Sequence, residues 1–140
     1  EHKPAVMVIM LQREVARTMC AGPGKMSMLS VATQVYGKPR IVCSVPPLAF
    51  KPQPKITSAV VRIDVYDQTI VPMDPPEKFF ALVRAGFSTP RKQIRNSLAV
   101  GLGIPPTESE AMLSEAGIDP KRRAQTLTLD EWSSLNMVRS

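Results

Sequence analysis

Residues 45–63 have the sequence VPPLAFKPQPKITSAVVRI, in which four prolines fall within nine residues. Each proline fixes its own φ angle and pushes the residue before it toward an extended conformation, so this loop is stiff. Residues 40–45 before the loop have the composition of a strand. Residues 56–65 after it place Thr57, Ala59, Val61, Ile63 and Val65 on one face. The pattern predicts two antiparallel strands joined by a long, rigid loop.

Phe50 is the aromatic residue held in that loop, with Lys51 and Lys55 close to it in sequence. Connections of this length between strands are usually functional or carry their own packing. A flat ring beside cations is suited to stacking on a nucleobase next to a phosphate backbone. The alternative is that Phe50 fills the core at the end of the sheet, because large aromatic side chains are mostly buried.

The first 66 residues predict an incomplete sheet. Residues 5–11 are a continuous apolar run without alternation, which is typical of a strand covered on both faces in a parallel sheet. Helices are predicted over 12–20 and 27–36. Because only the strands at 40–45 and 56–65 are available as neighbours, we expect an unpaired edge and exposed apolar surface, with marginal stability or self-association as the result.

The second half has helix signals throughout. Helices are predicted near 75–87, 90–102, 107–116, 120–124 and 128–138, and Thr107-x-x-Glu110 and Thr128-x-x-Glu131 have the pattern of capping boxes. The predicted core consists of apolar residues at helical spacing: Phe79, Leu82, Val83, Phe87, Ile94, Leu98, Leu102, Met112, Leu113, Ile118, Leu127, Leu129, Trp132 and Leu135. The predicted fold class is α/β followed by all-α, with an α/β part over 1–66, a linker over 67–75 and a helical domain over 76–140.

The excess positive charge lies in the first half. Residues 1–66 hold nine Lys and Arg against three acids, whereas residues 67–140 hold nine of each. This asymmetry suits the approach of the first half to a polyanion. Cations of the second half are candidate phosphate contacts, some of them placed near the N-terminus of the predicted second helix. They are Arg84, Arg91, Lys92, Arg95, Lys121, Arg122 and Arg123. An ordinary solvated helix face would give similar counts.

Several classes of protein have little support in the sequence. The apolar run Ala5 to Leu11 is too short to span a bilayer. Cys20 and Cys43 form no C-x-x-C motif, so we predict two buried, reduced thiols in a cytoplasmic protein. His2 is the only histidine, and no metal site is predicted.

Three motifs resemble those of the small-subunit ribosomal-RNA adenine dimethyltransferases. Residues 45–62 resemble V-P-P-x-A-F-x-P-x-P-K-V-x-S-A-V-V-R, and LQREVA at 11–16 resembles Q-K/R-E-V-A. Residues 79–98 and 116–132 resemble the C-terminal helical domain of that family. The loop at Pro23-Gly24 departs from the family pattern, because it is shorter and lacks a Tyr-Gly pair.

Members of that family also have a glycine-rich loop after the first strand, an acidic residue for the ribose and an Asn-x-Pro-aromatic tetrapeptide. The seven glycines form no such run, and no Asn-x-Pro-aromatic occurs. The chain is therefore expected to be the C-terminal portion of such an enzyme, in which a Rossmann-like methyltransferase sheet precedes a helical RNA-binding domain.

The resemblance implies a parent enzyme that transfers methyl groups from S-adenosylmethionine to the exocyclic amine of adenines in small-subunit rRNA. Phe50 then matches the aromatic residue that stacks on the target adenine, and the cations named above are expected rRNA contacts. The expected partners are this rRNA and the pre-ribosomal small subunit, with no membrane or metal. We expect the 140 residues alone to bind no S-adenosylmethionine and to be inactive. A non-catalytic rRNA-binding or ribosome-assembly module is the alternative, and a helical DNA-binding domain is a third hypothesis.

Overall fold

The computed structural model describes residues 3–139, in which a three-stranded sheet with two helices is followed by four further helices. The sheet part contains β1 (Val6–Gln12), α1 (Arg13–Met19), α2 (Met28–Gln34), β2 (Gly37–Val45) and β3 (Ser58–Val65). The helical part contains α3 (Pro76–Gly86), α4 (Ile94–Leu102), α5 (Pro106–Glu115) and α6 (Leu129–Arg139). Short 3-10 turns cover Pro47–Ala49 and Ala124–Thr126.

The strand order is β1-β3-β2, and both ladders are antiparallel. The predicted antiparallel pair β2 and β3 is confirmed, with Val45 opposite Ser58 and a register shift between Ile41 and Cys43. The first strand, β1, pairs antiparallel with β3, and the parallel neighbours that its apolar run predicts were expected in a part of the sheet outside this chain. Residues Val6, Val8 and Met10 of β1 are exposed, so neither a parallel partner nor full cover is present within the described residues.

The predicted alternation of β3 is confirmed. Ala59, Val61 and Ile63 are buried with Ala16 and Met19 of α1, and this small cluster is the core of the sheet part. The alternation works because successive side chains of a strand point to opposite faces.

A larger cluster occupies the helical part. Every apolar residue predicted for that core is either buried in the cluster or packed against it. The cluster also includes Met26, Val31 and Val35 from the sheet part and Val71 and Met73 from the predicted linker. Segment 67–75 is thus anchored by two buried side chains, and the domain boundary itself stays a prediction.

Two glycines allow the helices to approach closely. A Cβ on Gly101 of α4 would lie 2.4 Å from the Cα of Ala85 in α3, and one on Gly86 would lie 2.4 Å from the indole of Trp132 in α6. Non-bonded contacts of a Cβ atom are essentially never this short. Both positions therefore require glycine if α3 is to pack against α4 and α6 as it does.

The helix boundaries differ from the prediction where prolines are close. The predicted second helix of the helical part starts at Ile94 rather than at Pro90, because residues 89–92 form a turn in which the Lys92 N–H donates to the Thr89 carbonyl. The predicted helix at 120–124 is replaced by the 3-10 turn Ala124–Thr126. Of the two predicted capping boxes, the structure contains only the one formed by Thr128 and Glu131.

Candidate nucleic-acid interface

The loop between β2 and β3 holds Phe50 at the tip of the sheet. The Ala49 N–H donates to the Pro46 carbonyl at 3.0 Å and the Phe50 N–H donates to the Pro47 carbonyl at 3.2 Å, so the 3-10 turn fixes the backbone of Phe50. Its side chain is half-buried and belongs to neither hydrophobic cluster of the described residues. The alternative in which Phe50 fills the core of the sheet is therefore not what the structure contains. Lys51 and Lys55 on the same loop are exposed.

A cleft of about 320 Å³ lies where this loop returns to the sheet. Its lining residues come from the end of β1, the start of α1 and the segment before β3: Gln12, Arg13, Glu14, Lys55, Ile56 and Thr57. The Arg13 N–H donates to the Thr57 carbonyl at 3.0 Å and closes the base of the cleft. Gln12, at the end of β1, and Val45, at the end of β2, both pair with Ser58 at the start of β3. The cleft and the Phe50 loop therefore lie at the same end of the three strands.

A second group of cations meets at the N-terminus of α4. The Ile94 N–H donates to the Arg122 carbonyl, and the Arg95 N–H donates to the Pro120 carbonyl at 3.2 Å. These bonds hold segment 120–123 against the first turn of α4. Four exposed cations are thereby brought to one end of the helical part: Arg91, Lys92, Lys121 and Arg123.

The prediction of a helix N-terminus with amides free for phosphate was wrong in its details. Arg91 and Lys92 lie in the turn before α4 and not on the helix. The N–H groups of Ile94 and Arg95 are already bonded to carbonyl oxygens, so they are not available to a phosphate. Any anion binding here depends on the side chains.

Arg95 and Arg122 have carboxylate partners within the protein. Arg95 Nη1 lies 3.0 Å from Glu110 Oε2. Arg122 donates to both carboxylate oxygens of Glu131 and, at 2.7 Å, to the Thr126 carbonyl. The hydrogen bonds from Arg122 lower the pKa of Glu131, and the same pair raises the pKa of Arg122. Both guanidinium groups therefore have a structural role in this fold.

Arg84 is separated from the other candidates. It lies in the last turn of α3 and lines a different cleft, of about 460 Å³, together with Ser88, Gly101 and Arg139. The cations that are grouped between Arg84 and Arg95 in sequence thus do not form one surface strip.

Sequence reasoning missed two cations near these groups. Arg13 lines the cleft beside the Phe50 loop, and its position directly after the apolar strand was the signal that could have placed it there. The Gly24 N–H donates to the Gln125 carbonyl at 2.8 Å, which brings the exposed Lys25 close to the 3-10 turn Ala124–Thr126. This contact joins residues a hundred positions apart and has no local signal.

The remaining chemical groups give little evidence of another site. Residues 3–139 contain no group of three or more His, Cys, Asp or Glu that could hold a metal ion, and His2 lies outside them. None of the helices in the described part is long and apolar enough to cross a bilayer. Both cysteines are free, but the prediction of burial was wrong, since Cys43 is exposed and Cys20 only partly buried. Desolvation raises the pKa of the Cys20 thiol.

Three known proteins illustrate what the chain is similar to in sequence and in fold. A ribosomal RNA small subunit methyltransferase A of Dehalococcoides mccartyi is 44% identical over 138 residues, which are 99% of this chain and 47% of that protein. The protein of the same name from Desulfitobacterium hafniense is 43% identical over 133 residues, 94% of this chain and 48% of that one. A solved dimethyladenosine transferase from Plasmodium falciparum shares the fold with a TM-score of 0.78 at 20% identity, covering 96% of this chain and 57% of that structure.

The chain spans about half the length of the curated relatives it matches. The model of the ribosomal RNA adenine dimethylase family matches residues 1–138. With that match over nearly its whole length, and with the Phe50 loop and the LQREVA motif at residues 11–16, the chain belongs to the ribosomal RNA adenine dimethylase family.

Proposed function

We propose that this chain is the C-terminal, RNA-contacting part of an enzyme that transfers methyl groups from S-adenosylmethionine to the exocyclic amine of adenines in small-subunit rRNA. The proposal takes residues 1–66 as the end of a Rossmann-like methyltransferase domain and residues 76–140 as a helical rRNA-binding domain. Family membership supports it. The observation that carries it is the half-buried ring of Phe50, held at the sheet edge outside both hydrophobic clusters.

The residues of this chain do not fit S-adenosylmethionine. Nucleotide-like cofactors of this fold class are bound by backbone amides of a glycine-rich turn between a strand and a helix. Within residues 3–139, β1 is the strand that runs directly into an α-helix, and its junction is Gln12–Arg13 without a glycine. We therefore assign the methyl-donor site to protein outside these residues and expect the 140 residues alone to be inactive.

In the proposed enzyme Phe50 would hold the target adenine by stacking on its face. Base stacking on an aromatic side chain contributes about 1–3 kcal/mol per base. Holding the adenine against one fixed ring orients its exocyclic amine, and orientation is a large part of what an enzyme supplies when the donor is already activated. The stiff proline loop limits movement of the ring and so limits the entropy lost when the base binds.

Replacing Phe50 tests this role. In an enzyme that contains these residues, Phe50→Ala should lower methyl transfer to small-subunit rRNA about 10- to 100-fold, the loss expected from one stacked base, without changing affinity for S-adenosylmethionine. Leu48→Ala is the matched control, because Leu48 lies on the same loop and is 81% exposed. Methyl incorporation and cofactor binding would be measured for both variants.

Two results would contradict the proposal. Full activity of Phe50→Ala would remove the stacking role. Micromolar binding of S-adenosylmethionine to the 140-residue chain would contradict the assignment of the donor site to other residues. If the enzyme bound rRNA but transferred no methyl group, the chain would instead belong to a non-catalytic ribosome-assembly protein.

The proposed partner is small-subunit rRNA in the pre-ribosomal particle. Exposed side chains suited to contact its phosphates are those of Lys51, Lys55, Arg91, Lys92, Lys121 and Arg123. Arg84, Arg95 and Arg122 remain weaker candidates, since the first lines another cleft and the others bind internal carboxylates. Such a substrate, together with two free thiols, fits a cytoplasmic site of action.

A further inference from the structure

We propose that Arg13 and Lys55 together bind one phosphate group of the RNA, at the nucleotide whose base stacks on Phe50. This inference rests on the proposed function and adds to it a phosphate site and the residue Arg13. It starts from the cleft of about 320 Å³ that both side chains line.

The two cations reach the cleft from different parts of the chain. Arg13 is the first residue of α1 and follows the last residue of β1, whereas Lys55 lies in the loop before β3. The hydrogen bond from the Arg13 N–H to the Thr57 carbonyl fixes the backbone of both segments. Arg13 and Lys55 therefore line one cleft, because this hydrogen bond holds their two segments together.

The charges around the cleft favour an anion. Glu14 is the one carboxylate among the lining residues, and it is bound by Arg17, whose Nη1 lies 3.2 Å from its Oε1. Arg13 lies farther from that oxygen, at 3.9 Å through Nε, and 45% of its side chain is exposed. Arg17 thus neutralises the charge of Glu14, and the Nη groups of Arg13 remain available to a ligand. A guanidinium offers a planar pair of donors that matches two phosphate oxygens, and Lys55 adds a point charge.

The relation to Phe50 identifies which phosphate would bind. Phe50 and Lys55 are on one loop, and Pro52 and Pro54 between them have fixed φ angles. The backbone positions of Phe50 and Lys55 are therefore constrained relative to each other. A nucleotide stacked on Phe50 carries its own phosphate on the same strand, so one ligand would occupy both positions.

Binding of a labelled RNA hairpin with unpaired adenines in its loop, measured by fluorescence anisotropy over a range of salt concentrations, tests the proposal on the full 140-residue chain. Arg13→Gln and Lys55→Gln should each weaken binding about threefold to tenfold. Lys38→Gln is the matched control, since it removes the same charge from the exposed start of β2, at the opposite end of the strand from the cleft. It should change affinity less than twofold.

The double variant distinguishes one shared phosphate from two separate contacts. If both side chains bind the same phosphate, the double variant should lose less affinity than the product of the single losses. The plot of log affinity against log salt concentration should become less steep by about 0.7–0.9 in the double variant, which is the change expected when one phosphate contact is lost. A fall of about twice that size, with multiplicative losses, would overturn the shared site.

The outcomes separate this inference from the proposed function. If the unaltered chain does not bind the RNA hairpin more tightly than duplex DNA, the proposed function fails. If it does, but Arg13→Gln and Lys55→Gln match Lys38→Gln, the phosphate site alone is wrong. Arg13→Lys should keep the salt slope while weakening binding, because it retains the charge and loses the paired donors. Should Arg13→Gln fail to fold, Lys55→Gln decides the question by the same comparison.

Discussion

Arg122 shows how one side chain can organise a surface without facing it. Its guanidinium bonds to Glu131 and to the Thr126 carbonyl, while Glu131 accepts from the Thr128 N–H at 2.9 Å. The Glu131 N–H in turn donates to Thr128 Oγ1 at 3.1 Å, which completes the capping box of α6. This network ties segment 122–126 to α6 and thereby positions the exposed neighbours of Arg122, namely Lys121 and Arg123.

Glu131→Gln should lower the free energy of unfolding by about 1–2 kcal/mol at pH 7, because it removes the charge that Arg122 binds and keeps the shape. Arg122 lowers the pKa of Glu131 from its ordinary value of 4.5. The folded state thus takes up this proton less readily than the unfolded chain. The stabilisation that the Glu131 carboxylate contributes is present above pH 4.5, the pKa of this group in the unfolded chain. It is lost as the pH falls through the pKa of Glu131 in the folded state.

Urea denaturation at pH 7 and pH 3 measures this difference. The difference in the free energy of unfolding between wild type and Glu131→Gln should be smaller at pH 3, because the unfolded chain binds this proton below its pKa of 4.5 while the folded state binds it less readily. The matched control is Glu115→Gln, an exposed carboxyl at the end of α5, whose effect should stay within about 0.5 kcal/mol. An equal gap at both pH values would show that the charge of Glu131 does not contribute.

The two edge strands of the sheet differ in how they are protected. β2 carries Lys38, Pro39 and Arg40 and has a register shift between Ile41 and Cys43, all of which hinder pairing with another strand. β1 has no charged residue or proline between Val6 and Leu11. Its Val8 and Met10 side chains are 63% and 53% exposed. We therefore propose that two copies of the chain associate through β1, as the sequence led us to expect.

Sedimentation velocity over a range of concentrations tests this association. Val8→Lys should convert associated species to monomer, because it places a charge on the free edge. Val42→Lys is the control, since Val42 is 50% exposed on β2 and should leave the association unchanged. A monomeric wild type at high concentration, or equal dissociation by both variants, would exclude the β1 edge.

The two parts of the molecule are packed into one structure by α2. Val31 of this helix and Val35, which follows its last residue, are fully buried in the larger cluster with Phe79, Leu82 and Trp132. The Ile70 N–H donates to the Val35 carbonyl at 3.0 Å, which anchors the connecting segment. The helical part therefore depends on residues from the sheet part for its core.

Val35→Ala should lower the unfolding midpoint reported by the fluorescence of Trp132, the single tryptophan. The free energy of unfolding should fall by about 1–3 kcal/mol, because a buried side chain is shortened and a cavity remains. Val100→Ala is the control, since Val100 is 63% exposed on α4. An unchanged Trp132 transition in Val35→Ala would mean that the helical part folds without α2.

The sequence by itself determined the strands and most helices of this protein, the core of its helical part, and the stiff loop that holds Phe50. These features depend on residue periodicity and on proline, which act over a few neighbouring positions. Tertiary structure alone decided which cations share a surface: Arg13 with Lys55, Arg91 and Lys92 with segment 121–123, and Arg95 and Arg122 with internal carboxylates. The physical reason is that a charge finds its partner across elements distant in sequence, and their relative placement is set by the packing of the core.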